Sequence, residues 1–187
     1  MGRDKAFVEF EGRTLLARSL DLARSVSADV RIVGNREKFA PFAPLVEDIF
    51  RDCGPLGGIH AALRVSQGDI NLMLAVDMPF ISQKFLEYLI GQASSAPDAI
   101  VVVPRCGGRR QPLCAVYRRQ FAVAAENALR AGQNRIDLLF DVVQTRVIEQ
   151  DELDRAGFAS DMFRNLNTPE ELGAQKVKAS QPLELID

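Results

Sequence analysis

The chain has no tryptophan, two tyrosines, one histidine and three cysteines in 187 residues. Each scarcity narrows the range of functions. With so few Trp and Tyr rings, a stacking platform for single-stranded nucleic acid is poorly supplied. The lone histidine, His60, leaves a Ser-His relay or a His-rich metal site little to draw on. Cys53, Cys106 and Cys114 are scattered and odd in number, without the paired spacing of zinc or redox motifs, so reduced thiols in a cytoplasmic protein are expected. No apolar run approaches the ~20 residues of a membrane span. The opening Met-Gly-Arg-Asp-Lys has no apolar region behind it and does not read as a signal peptide. A formal net charge of -2 argues against a general nucleic-acid binder that relies on a basic surface. Carboxylates, lysine, arginine and backbone amides are left to carry any chemistry, and that set suits phosphate transfer.

A hydrophobic fraction of 47% supports one globular domain, expected over residues 1–175, with a weakly periodic tail at 176–187 expected to be mobile. Strand and helix patterns alternate along it. Leu15, Leu16, Leu20, Leu22 and Ala23 recur at helical spacing between Thr14 and Ser25. Asp29–Val33 reads as a β-branched strand ended by Gly34-Asn35, and Leu45–Glu47 as a second short strand. Pro55–Val65 predicts a helix with proline in its first turn, and Ser82 predicts the cap of another whose apolar face carries Phe85, Leu86, Leu89 and Ile90. Ala99–Val103, Leu113–Tyr117 and Thr145–Ile148 read as strands; helices are expected near Arg119–Ala131, near Ile136–Asp141 and from Thr168. Repeated strand–helix units predict a three-layer, doubly wound α/β sheet, mostly parallel.

The apolar run Leu72-Met73-Leu74-Ala75-Val76 stops at Asp77 and is followed by Pro79. Such a run predicts a central strand buried on both faces, with Asp77 at its carboxyl end, where open α/β sheets bind ligands. A carboxylate there can hold Mg²⁺ and through it a triphosphate, or simply cap the following turn. On these residues alone the two readings are even. Gly54-Pro55-Leu56-Gly57-Gly58 precedes a helix whose N-terminal amides favour an anion, although Gly-Pro also marks ordinary turns. Arg3 and Lys5 put two cations at the start of the chain, where a frayed, solvated terminus is the alternative. Asn165-Leu166-Asn167-Thr168-Pro169 sets two amides before a capped helix, with Asn167 a metal-ligand candidate or part of plain helix entry.

In this order the segments resemble the molybdenum cofactor guanylyltransferases (the MobA type). Met1-Gly2-Arg3-Asp4-Lys5-Ala6 fits the end of that family's opening motif, Arg-Met-Gly-x-Asp-Lys-Ala, and Glu11–Leu16 the segment after it. Val46-Glu47-Asp48 with Gly54–Ile59, then Asp77-Met78-Pro79-Phe80, Gln111-Pro112-Leu113 and Asn165–Glu170, complete the series. The resemblance runs from Met1 to about Leu172. It implies a Rossmann-like nucleotidyltransferase fold whose first strand and glycine-rich loop, Leu-Ala-Gly-Gly-x-Ser-x-Arg, would precede Met1. Translation is therefore expected to start upstream in the natural protein, unless the chain is a truncation whose activity is lost.

The resemblance further implies GMP transfer from GTP to the phosphate of molybdopterin, with release of pyrophosphate. Mg²⁺ would be held by Asp77 with Asn167, and Lys5, assisted by Arg3, would face the α-phosphate. Asn35, Asp48, Gly54, Pro55, Leu56 and Gly57 would contact nucleotide. Arg105, Arg109, Arg110 and Gln111 are candidates for the pterin phosphate, though a solvated charged loop reads equally well. Expected partners are GTP, molybdopterin, molybdenum-insertion proteins and molybdoenzyme chaperones, with no nucleic acid or membrane, on a monomer or weak oligomer. The rivals are a cytidylyl- or sugar-phosphate nucleotidyltransferase, and a non-catalytic cofactor- or partner-binding module.

Overall fold

Residues 4–165 are described by the computed structural model; Arg3, Asn167, the helix expected from Thr168 and the tail at 176–187 lie outside them. A two-stranded antiparallel hairpin, β1 (Glu9–Phe10) and β2 (Arg13–Thr14), comes first. The Thr14 hydroxyl accepts the Ala17 N–H at 3.2 Å and starts α1 (Leu15–Arg24), which buries Leu15, Leu16 and Leu20. This is the face that the leucine spacing marks out. Next come β3 (Ile32–Val33), the short α2 (Arg36–Phe39) and β4 (Leu45–Val46), with β3 and β4 paired in parallel.

The rest of the chain builds the larger sheet. After α3 (Gly54–Val65) come β5 (Ile70–Leu74), α4 (Gln83–Ser95), β6 (Val101–Cys106), β7 (Arg109–Arg110) and β8 (Cys114–Arg118). Then follow α5 (Phe121–Arg130), α6 (Ile136–Leu139), β9 (Thr145–Ile148) and α7 (Gln150–Arg155). The order across the sheet is β5-β8-β6, with β9 and β7 both on β6. Side-chain alternation divides its residues between two apolar layers. Val101, Val103, Ala115 and Tyr117 face Leu56, Leu63, Phe121 and Leu129 of α3 and α5. Val102, Val116 and Ile148 face Phe85, Leu86, Leu89 and Leu153 of α4 and α7. The three layers therefore form as the pattern predicts.

The sheet is mixed rather than mostly parallel. β9 runs parallel to β6, but β8 is antiparallel to both β5 and β6. Between β6 and β8 the chain makes only the Gly107-Gly108 turn and the two-residue β7, with no crossover helix. A parallel return needs a dozen or more residues, usually helical, so this short excursion forces β8 to run backward. β5 also differs from expectation. It is an edge strand: among the described residues it pairs only with β8, and Leu72, Met73 and Leu74 are half-buried. Both of its faces are still used, because Met73 joins the α3–α5 layer while Leu72 and Leu74 join the α4 layer. No helix among the described residues is long and apolar enough to cross a membrane.

Candidate active site

The chain leaves β5 at its carboxyl end through Ala75, whose N–H still bonds the Leu113 carbonyl at 2.7 Å. Val76 then turns toward α1, its carbonyl accepting the Ser19 hydroxyl at 3.4 Å. Asp77 follows in the turn. Its carboxylate, 18% exposed, lies 3.3 Å from the Lys5 ammonium, which is 49% exposed.

Lys5 sits on a single 3-10 turn, Lys5–Phe7, capped by Asp4 through the Ala6 N–H at 3.2 Å. Ala6 is buried against Leu16, Leu20, Ile32 and Val76, which fixes the turn over α1 beside the end of β5. The other Asp4 oxygen accepts Lys38 at 3.1 Å. Asp4 was given no role by the sequence reading, although an Asp two residues before a turn amide is a recognisable capping signal. An exposed pair such as Lys5–Asp77 contributes only about 0.2–1 kcal/mol to stability. Folding therefore explains little of why a cation and a carboxylate 72 residues apart are brought together here. A shallow cavity of about 340 Å³ lies between α1 and the Met78–Gln83 turn, with Arg13, Arg18, Ser19 and Pro79 in its wall and neither Lys5 nor Asp77 in its lining.

The glycine segment forms the first turn of α3. Gly54 takes φ of +60°, a conformation that glycine adopts without strain. Cys53 supplies no side-chain cap, so the first amides of α3 are not closed off by their own N-cap residue. Gly57 and Gly58 also make room for the chain's own packing. A Cβ on Gly57 would lie 2.9 Å from the Phe50 carbonyl, and one on Gly58 would lie 3.2 Å from Val33 and 3.6 Å from the Asp48 carboxylate. They admit the chain's own segment 48–53. The exposed Asp48 has its carboxylate near Gly58 of α3, and partial desolvation raises its pKa from the ordinary value. Leu56 is fully buried in the α3–α5 layer, so only its backbone can meet a ligand, whereas Gly54 and Pro55 are exposed.

The remaining candidates are dispersed. Asn35 caps α2, accepting the Lys38 N–H at 3.1 Å. Arg105 bonds Glu149 at 2.9 Å, while Arg110 bonds the Asp137 carbonyl at 3.1 Å and Asp141 at 2.6 Å, its guanidinium over Phe140. Arg110 thus braces β7 against α6. Arg109 is exposed, with Gln111 bonded to its carbonyl at 3.5 Å. Among the described residues no three His, Cys, Asp or Glu side chains stand together as a metal cage. One carboxylate at a sheet edge nevertheless fits an ion of the Mg²⁺ type, which keeps several waters and shares substrate phosphates.

His60, on the same helix as the glycine segment, is 1% exposed. Neither ring nitrogen makes a hydrogen bond within the described residues, and the closest acid, Glu126, is 3.6 Å from Nε2. Such a buried unpaired polar group costs about 1–3 kcal/mol. Burial lowers the imidazole pKa, and the attraction of Glu126 offsets only part of that effect.

Residues 1–145 match the family model described as the MobA-like NTP transferase domain. The chain belongs to this family. It is 34% identical over 173 residues to the molybdenum cofactor guanylyltransferase of Desulfosudis oleivorans, covering 91% of this chain and 85% of that one. The enzyme of the same name from Vibrio atlanticus is 32% identical over 174 residues, covering 91% and 86%. Among solved structures, molybdopterin-guanine dinucleotide biosynthesis protein A of Archaeoglobus fulgidus superposes with a TM-score of 0.79 at 24% identity, over 96% of this chain and 93% of that one. A 2-C-methyl-D-erythritol 4-phosphate cytidylyltransferase from Thermus thermophilus gives 0.66 at 17% identity, over 94% and 93%. Both likenesses establish the Rossmann-like α/β fold. As a MobA-like NTP transferase the chain is a nucleotidyltransferase, and the resemblance read from its motifs holds.

Proposed function

We infer that the chain transfers GMP from GTP to the terminal phosphate of molybdopterin and releases pyrophosphate. The observation that carries this reading is the meeting of Lys5 with Asp77 at the carboxyl end of β5. The guanylyltransferases among its relatives supply the choice of substrates.

An oxygen of the acceptor phosphate attacks the α-phosphorus of GTP. The bond from that phosphorus to the α,β-bridging oxygen breaks, and its electron pair leaves with pyrophosphate. No protein nucleophile is needed, so catalysis is positioning and charge stabilisation. Lys5 faces the α-phosphate, where charge grows during transfer. Asp77 would hold Mg²⁺, which would supply charge neutralisation to the phosphates. The exposed first turn of α3 offers backbone amides to the nucleotide, with Asp48 beside it. Of the three loop arginines, Arg109 is the one whose side chain bonds no acid in the described residues, and it takes the acceptor phosphate. Asp77→Ala tests the assignment. Transfer should fall to background while the melting temperature stays within a few degrees of the parent. Undiminished turnover would remove Asp77 from the mechanism.

A further inference from the structure

The irregular segment 48–53 runs close to the N-terminal half of α3. A Cβ on Gly57 would lie 2.9 Å from the Phe50 carbonyl and 3.3 Å from the Cys53 side chain, and one on Gly58 would lie 3.6 Å from the Asp48 carboxylate. The Phe50 ring meets the His60 ring edge-on, with centroids 5.3 Å apart and planes at 69°. His60 has Glu126 of α5 on its Nε2 side at 3.6 Å. A leucine would fill the same buried volume without unpaired nitrogens. The histidine is therefore poorly accounted for as simple core packing. What it supplies is a flat ring whose edge and face a neighbouring aromatic can engage in a preferred geometry, with a carboxylate on its other side.

We propose that His60 is a positioning residue for nucleotide binding: through Phe50 it fixes segment 48–53 on α3, and so holds Asp48 beside Gly58, next to the first turn. This assignment rests on the reading of that turn as the nucleotide site. His60 touches no substrate in it. Glu126 faces the ring's Nε2 side, Phe50 meets the ring edge-on, and Asp48 lies two residues earlier on the same segment.

The test compares the parent chain with His60→Leu and His60→Phe by GTP·Mg²⁺ calorimetry and amide hydrogen exchange. His60→Leu should raise the GTP Kd about 5- to 10-fold and speed exchange selectively in residues 47–53. His60→Phe, which restores an aromatic partner for Phe50, should recover most of both. Unchanged exchange and affinity in His60→Leu would overturn the proposal. So would faster exchange spread evenly over α3 and α5, which would mark a general packing role. If the parent itself takes up no GTP while exchange still rises selectively at 47–53, the nucleotide reading fails and the hold of His60 on the segment stands.

Discussion

In the proposed mechanism Lys5 and Asp77 divide the work at the residue scale. Lys5 is assigned to charge that develops only during transfer, so Lys5→Ala should lower kcat by at least tenfold while the GTP Kd changes little. Paired turnover and binding measurements check this, and a pure loss of affinity would mean that Lys5 grips only ground-state phosphate. His60 makes a prediction of its own through acid stability. Burial lowers its folded pKa below about 6.5, Arg64 and Arg130 act in the same direction, and Glu126 opposes them. Between the folded value and about 6.5 the unfolded chain binds more protons, so stability falls as pH drops through that window. Glu126 is itself held below the ordinary carboxyl range, chiefly by its hydrogen bond from Arg130, and remains ionised there. Urea midpoints measured at pH 7.5 and 5.5 should fall in the parent and fall less in His60→Leu. Asp77 and Lys5 were legible in the sequence because their neighbours form a motif. The burial of His60 against Phe50 and Glu126 was not, since that contact exists only once α3 and α5 pack together.

At the scale of elements, α3 is the helix to which the proposed function assigns nucleotide contact in its first two turns. Gly57 lies where Cβ would strike the backbone oxygen of Phe50, an atom that cannot swing aside like a side-chain tip. Gly57→Ala should therefore cost about 1–3 kcal/mol despite the gain in helix propensity, and weaken GTP binding by displacing segment 48–53. Gly91 in α4 is the control: a Cβ there meets nothing within 4 Å, and Gly91→Ala should stabilise by up to about 1 kcal/mol. Thermal melts of the two variants should move in opposite directions. The helices with a start signal and an apolar face, α1 and α4 with their hydroxyl caps and α3 with proline in its first turn, were readable within a residue or two. The hairpin β1–β2, α2, β7 and α7 were not. They are two to six residues long, too short for a periodicity, and tertiary contacts decide their form. Arg110 shows the same limit at a site, for only the folded α6 reveals that its charge meets Asp141.

For the whole molecule, the alternation of strand and helix gave the three layers but not the direction of every strand. β8 runs backward because of the short return after Gly107-Gly108, a loop whose length was visible and whose consequence was not drawn. The edge position of β5 was likewise hidden, since an apolar run reports burial of faces and says nothing of which ladder edges are paired. β5 delivers Asp77 to Lys5 at that edge, and in the proposed function α3 and segment 48–53 form the second part of the nucleotide surface. The most direct measurement is calorimetric titration of GTP·Mg²⁺ and CTP·Mg²⁺ into this chain and into a form extended at its N-terminus by the strand and glycine-rich loop that the family resemblance implies. The extended form should bind GTP in preference to CTP, with the Mg²⁺ dependence lost in its Asp77→Ala variant. Preference for CTP, or no uptake of GTP by either form, would contradict guanylyl transfer.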